Sequence, residues 1–150
     1  MQSIALFLCS GNYFRSRFAE IVFNHHAPRA GLGWRAESRG IAIDPVSGNI
    51  GPISRFTLRG LAARGIPSPD PAREPLHLVE VDLRRASRVI ALKEAEHRPM
   101  IVRRFPGWVE KVEYWHIDDI DCAEPDDAML EIERQVFALI AGLSDGAMRG

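Results

Sequence analysis

Cys9 and Arg15 are separated by five residues in the stretch LFLCSGNYFRSRFAE, with Gly11 between them. The thiolate is the nucleophilic form of cysteine, and at neutral pH it accumulates only in electropositive surroundings. A loop running from Cys9 into the first turn of a helix provides them, because successive backbone N–H groups converge and the helix dipole adds to them. Ser10, Gly11, Asn12, Tyr13 and Phe14 supply those amides. The guest is an anion: the thiolate itself, or a tetrahedral oxyanion resting against it, with the planar fork of Arg15 holding two oxygens at once. Phosphate is the natural candidate. Gly11 is expected to let the backbone approach the ligand at angles a Cβ forbids, and Asn12 to tolerate left-handed angles while its amide ties the loop together. Ser16, in the first helical turn, is placed to hydrogen-bond the Cys9 sulfur and make it a better leaving group. The spacing is not GxxxxGK[ST], so a nucleotide cradle with its magnesium is not indicated.

These side chains need a strand, a tight loop and a helix to hold them. Ser3 to Cys9 is short, apolar and bounded by Ser-Gly, the profile of a strand buried on both faces. From Ser16 the period becomes helical until Pro28 and Gly31. Further strands are predicted over Trp34 to Ile41, Ser87 to Leu92 and Val112 to Ile117. A second helix is predicted over Ile53 to Gly65, and a third over KEAEHRPMIVRRF, which Pro99 is expected to kink or restart. Met129, Ile132, Val136, Leu139, Ile140 and Leu143 recur at helical steps in a last helix with Pro125 in its first turn. Asp44 to Pro52 and the proline-rich Gly65 to Pro75 read as loops. The fold class is therefore α/β: a three-layer, doubly wound, four-stranded parallel sheet flanked by helices, with ligands at the carboxyl ends of its strands, where Cys9 stands.

The whole chain, 1–150, is expected to form one domain. Nineteen basic and twenty acidic residues leave a net charge of −1, so anion recognition has to be local, and neither nucleic acid nor an acidic membrane is expected as a partner. No segment approaches the roughly 20 apolar residues that cross a bilayer. Cys9 and Cys122 form no CxxC pair, and the histidines have no ligand spacing, so a reducing cytoplasm and no metal or cofactor are expected. His97 in particular reads as a surface or satisfied histidine. Nothing in the sequence sets the oligomeric state.

LFLCSGNYFRSRFAE resembles the signature of the low-molecular-weight protein tyrosine phosphatases, in which an N-terminal strand ends in C-x-G-N-x-x-R-S. The likeness is carried by Cys9, Gly11, Asn12, Arg15, Ser16, Ala19 and Glu20. ESRGI, ARGI, SRVIAL and YWHIDDID extend it more weakly along the chain. The resemblance implies a phosphomonoester hydrolase working through a phosphocysteine on Cys9. Its general acid is an aspartate usually followed by proline, which falls on Asp119, with Ile120 in the proline's place and Asp118 and Asp121 as neighbouring alternatives. A phosphorylated protein or a small phosphoester would be the substrate. The related arsenate reductases pass a disulfide along further cysteines, of which this chain has only Cys122. The runner-up reading, ahead of an arsenate reductase, is a binding module that keeps the cradle without efficient turnover.

Three departures from the pattern stand out. Phe14 replaces the second cysteine that many relatives carry before the signature arginine, which removes an internal redox partner for Cys9. Arg17 replaces the family's proline, and is expected to be a solvated first-turn side chain, the alternative being an extra cation at the mouth that strengthens the field or favours an acidic substrate. The aromatic residues that follow the acid in the phosphotyrosine enzymes are missing, leaving Tyr13 and Trp115 as candidates for aromatic contact.

Overall fold

The computed structural model describes residues 2–119 and 123–149. The apolar run at the N-terminus forms β1 (Ser3–Cys9) in the interior of a four-stranded parallel sheet ordered β2-β1-β3-β4, with β2 at Trp34–Gly40, β3 at Arg88–Ala91 and β4 at Glu113–Tyr114. Alternate side chains of β1 enter two cores, as a strand covered on both faces requires. Ala5 and Phe7 pack with Phe18, Val22, Met129 and Ile132, beneath α1 (Arg15–His26), α2 (Arg55–Ala63) and α5 (Pro125–Arg149). Leu6 and Leu8 pack with Leu83, Val89 and Ile101, beneath α3 (Glu80–Arg85) and α4 (Glu94–Arg104). The three layers follow from that division.

The register Cys9↔Gly40 and Leu8↔Ala91 brings three strand ends to one edge of the sheet, directly under the loop that follows Cys9. Gly40 is required there, because a Cβ would lie 2.9 Å from the Ser10 carbonyl oxygen and 2.6 Å from Ile43.

Two expectations are corrected. The predicted strand over Val112 to Ile117 shrinks to Glu113–Tyr114, because its partner β3 ends at Ala91 and α4 begins three residues later. The chain nevertheless stays attached, with Trp115 N–H donating to Ala91 O and Ile117 N–H to Leu92 O. Nor does α4 restart at Pro99. One missing N–H is tolerated because His97 and Ile101, on either side, are buried and hold that face of the helix in place. The six-residue α3 was not anticipated, being too short to show a period. Among the described residues no helix is long and apolar enough to cross a membrane.

Candidate active site

Cys9 ends β1 and Arg15 opens α1, so the intervening loop spans a strand terminus and a helix N-terminus. Neighbouring elements capture its carbonyl oxygens one after another. Cys9 O accepts from Ile41 N–H (2.9 Å), Ser10 O from Ala42 N–H (3.0 Å) and Tyr13 O from Ser54 N–H (3.0 Å). Asn12 O accepts from Arg17 Nη1 (3.3 Å), and Phe14 O from Phe18 N–H (3.0 Å) and Thr57 Oγ1 (3.3 Å). In a trans peptide the C=O and the following N–H point to opposite sides. Five anchored carbonyls therefore turn the amides of Ser10, Gly11, Tyr13, Phe14 and Arg15 away from the scaffold. Among the described residues none of the N–H groups from Ser10 to Phe14 donates to a protein acceptor.

Asn12 sets the bend. It is the one non-glycine residue described with a positive φ, at 51°, and it is fully buried. Its Nδ2 donates to Ser16 Oγ and Ser38 Oγ, both at 2.9 Å, and its Oδ1 accepts from Arg73 Nη1 (2.9 Å) and Leu76 N–H (3.0 Å). Ser38 in turn donates to Glu20, 2.5 Å away. Gly11 does not take the unusual angle expected of it. No atom lies within 4 Å of the place a Cβ would occupy, so the position opens onto free space.

Ser16 Oγ lies 3.0 Å from Cys9 Sγ. Because that oxygen also accepts from Asn12, its one proton is available to the sulfur.

The Arg15 side chain is 2% exposed. Nη1 donates to Ile117 O (3.1 Å), and Nη2 to Glu96 Oε2 (2.8 Å) and Asp119 Oδ2 (3.3 Å). Burial disfavours its charge, but Cys9, Glu96 and Asp119 outweigh that and hold the guanidinium above its ordinary range. Asp119 thus stands at the cleft, whereas Asp118 pairs with Lys93 at 2.7 Å. Ile120, Asp121 and Cys122 lie outside the described residues.

Glu96 and His97 were not identified from the sequence as parts of this site. Glu96 accepts from Arg15 and Ser10 and lies 3.2 Å from His97 Nε2. The His97 hydrogen bond, with those from Arg15 and Ser10, keeps its carboxylate far below the usual range despite burial. His97 is fully buried, and its Nδ1 accepts from Lys93 N–H at 3.0 Å. Neutral His97 therefore carries its proton on Nε2 and cannot serve Ser10 as a base. Burial pushes the imidazole below its ordinary value of 6.5. The available signal was positional: an acid–histidine pair at the start of the helix after the third strand, at the carboxyl edge where ligands bind.

The expectation for Arg17 is overturned, since it is 2% exposed and every hydrogen bond it makes is to a carbonyl oxygen. The Phe14 ring is buried against Phe56, centroids 6.4 Å apart, which leaves its backbone as the part that faces the loop. Trp115, half-buried, packs on Phe7 at the edge of the core, ring centroids 5.7 Å apart. Tyr13 stays at the cleft, its hydroxyl donating to Ile50 O (2.5 Å). The cleft above the loop, about 900 Å³, reaches Cys9, Gly11, Arg15 and Asp119 and is walled by the 42–56 segment and by Glu74 and Pro75. No group of three His, Cys, Asp or Glu residues suited to a metal ion occurs among the described residues.

A four-stranded parallel sheet with a C-x-G-N-x-x-R-S loop at its carboxyl edge is the frame of one known family. The family model for low molecular weight phosphotyrosine protein phosphatase matches residues 4–145, and the chain belongs to that family. Among solved structures it is similar to YfkJ from Bacillus subtilis, at 22% identity over 97% of each chain with a TM-score of 0.81. The low molecular weight protein tyrosine phosphatase from T. tengcongensis matches at 24% identity over 99% of each chain, TM-score 0.67. The YwlE arginine phosphatase from Geobacillus stearothermophilus matches at 22% identity, over 98% of this chain and 94% of that one, TM-score 0.69. No curated protein sequence matches the chain.

Proposed function

We propose that the protein is a cysteine-dependent phosphomonoesterase, and that one domain acting in the reducing cytoplasm carries the activity. The observation that bears most weight is the convergence of Cys9 Sγ with Ser16 Oγ at 3.0 Å, beside a loop whose carbonyls are all but one tied back, with Asp119 held by Arg15 at the same opening. In this reading the loop amides and Arg15 bind the phosphoryl oxygens and stabilise them as charge redistributes. Cys9 thiolate attacks phosphorus, the ester P–O bond breaks, and Asp119 gives its proton to the departing oxygen. The phosphocysteine is then hydrolysed. Water loses a proton to Asp119 and attacks phosphorus, the S–P bond breaks, and the thiolate leaves toward the Ser16 hydroxyl. No cofactor or metal takes part.

The substrate is a phosphorylated protein side chain or a small phosphoester. Family membership supports phosphatase chemistry, and the fold is shared by proteins named for phosphotyrosine and for arginine dephosphorylation. Hydrolysis of para-nitrophenyl phosphate in the presence of EDTA tests the proposal. Turnover is expected in wild type, none in Cys9→Ser, and a strongly reduced rate in Asp119→Ala. If wild type and Cys9→Ser bind phosphate but are equally inert, the protein is a phosphate-binding module and the enzyme reading is wrong. Thiol-dependent arsenite production that requires Cys122 would replace it with an arsenate reductase.

A further inference from the structure

Arg17 takes no part in the chemistry above, yet it is among the largest fully buried side chains. Nη1 donates to Asn12 O (3.3 Å) and Pro52 O (3.0 Å), and Nη2 to Arg73 O (2.9 Å). No carboxylate among the described residues reaches ion-pairing distance of it. Burial, and then the neighbouring Arg73, bring its pKa down to about 10, while Glu20, Cys9 and Glu74 act in the opposite direction. It stays charged at neutral pH. Glu20, the carboxylate that most favours its charge, is already engaged by Arg73 at 3.1 Å and by Ser38. A buried guanidinium without a paired carboxylate is costly, and a fold keeps one where another anion offsets the cost. Here the adjoining space is the Cys9–Arg15 loop, whose Asn12 carbonyl Arg17 holds.

We propose that Arg17 is a positioning residue of the anion site that acts through its charge: it is a second cation beneath the loop, held there against the carbonyls of Asn12, Pro52 and Arg73. The inference rests on reading that loop as an oxyanion cradle. It assigns a role to a side chain that stands where the family pattern has proline. With Glu96 offsetting Arg15, Arg17 supplies positive potential for a doubly charged tetrahedral anion.

The test compares wild type with Arg17→Met, Arg17→Gln and Arg17→Lys. Inorganic phosphate affinity is measured by calorimetry, and alkylation of Cys9 by anionic iodoacetate and neutral iodoacetamide is followed on the Cys9 peptide by mass spectrometry. Both reagents attack the same thiolate, so the ratio of their rates reads the local field and is insensitive to a purely structural role. The neutral variants are expected to bind phosphate at least about tenfold more weakly, the scale for a single negative charge about 10 Å away with an effective dielectric constant of ~20, which a second charge on the anion enlarges. Their iodoacetate-to-iodoacetamide ratio should fall severalfold, while Arg17→Lys stays near wild type in both measurements.

A wild-type ratio in folded Arg17→Met or Arg17→Gln overturns the inference, as does an Arg17→Lys variant that loses phosphate as they do. If the neutral variants fail to fold, Arg17→Lys decides alone, retention upholding the inference and loss overturning it. A wild type that binds no phosphate overturns it as well. Hydrolysis of para-nitrophenyl phosphate is followed in parallel. An inert wild type with Arg17-dependent phosphate binding removes the phosphatase reading and leaves this inference standing.

Discussion

Replacing Asn12 with alanine removes two things at once, and the structure lets each be sized. The first is conformational: alanine has to adopt the left-handed backbone that Asn12 holds at φ 51°, at about 1–2 kcal/mol. The second is the loss of four hydrogen bonds, to Ser16, Ser38, Arg73 and Leu76, worth roughly 0.5–1.5 kcal/mol each with partial compensation by water. The sum is about 3–5 kcal/mol, a large share of the ~5–15 kcal/mol that holds a typical domain together. Asn12→Gly loses the same bonds without the conformational cost, but gains unfolded-state entropy worth about 0.4–1 kcal/mol. Glycine should therefore be the milder change, by roughly 0.5–1 kcal/mol. Urea denaturation of the three proteins measures these differences, and calorimetry with phosphate reports whether the loop still forms. Both variants should bind phosphate more weakly than wild type. An alanine variant as stable as the glycine variant would refute the strain argument. A loss below about 1 kcal/mol in both would refute the claim that the side-chain network supports the fold.

Ser16→Ala should slow hydrolysis of the phosphocysteine more than its formation, because the proton offered to Cys9 Sγ at 3.0 Å stabilises the departing thiolate. A hydrogen bond to a charged group is worth about 1.5–3 kcal/mol, so turnover is expected to drop by at least ~10-fold. A rapid burst of nitrophenol should precede the slow phase; an unchanged kcat would contradict the assignment. The second prediction concerns acid. Both His97 and Glu96 are held below their ordinary values of 6.5 and 4.5, so the unfolded chain binds more protons than the folded one as pH falls. The stability contributed by neutral His97 is full above its ordinary value and is lost as pH drops toward the folded one, and Glu96 follows at lower pH. The urea midpoint should decline from about pH 7.5 to about pH 5 and further below, and a flat profile would show that the pair is not set as described.

The parts of this arrangement that depend on short chain offsets were legible in the sequence. The apolar run ending at Cys9 specified a doubly covered strand, and a loop of fixed length followed by Ser16 brought that hydroxyl back to the sulfur. Asn12 was readable because few other residues accept its backbone angle while donating to two hydroxyls. Arg17 was misread because burial is a tertiary property: distant Pro52 and Arg73 bring their carbonyls to it, and neither is predictable from the helix that carries it. Glu96 and His97 escaped for a similar reason, since they meet Arg15 and Ser10 across more than eighty residues. The shortening of β4 depended on where β3 stopped, which local pattern does not record.

The anchored carbonyls give the loop an unusual kind of ownership. Its shape is stored in residues it does not contain: Ile41 and Ala42 after β2, Ser54 and Thr57 at the head of α2, and Arg17 and Phe18 in α1. Moving Cys9 to Arg15 onto another strand–helix junction would carry the thiol and the guanidinium but not the peptide orientations. A transplantable anion site from this protein therefore has to include the ends of four secondary-structure elements, and sequence drift in those ends should alter anion binding even when all seven loop residues are kept.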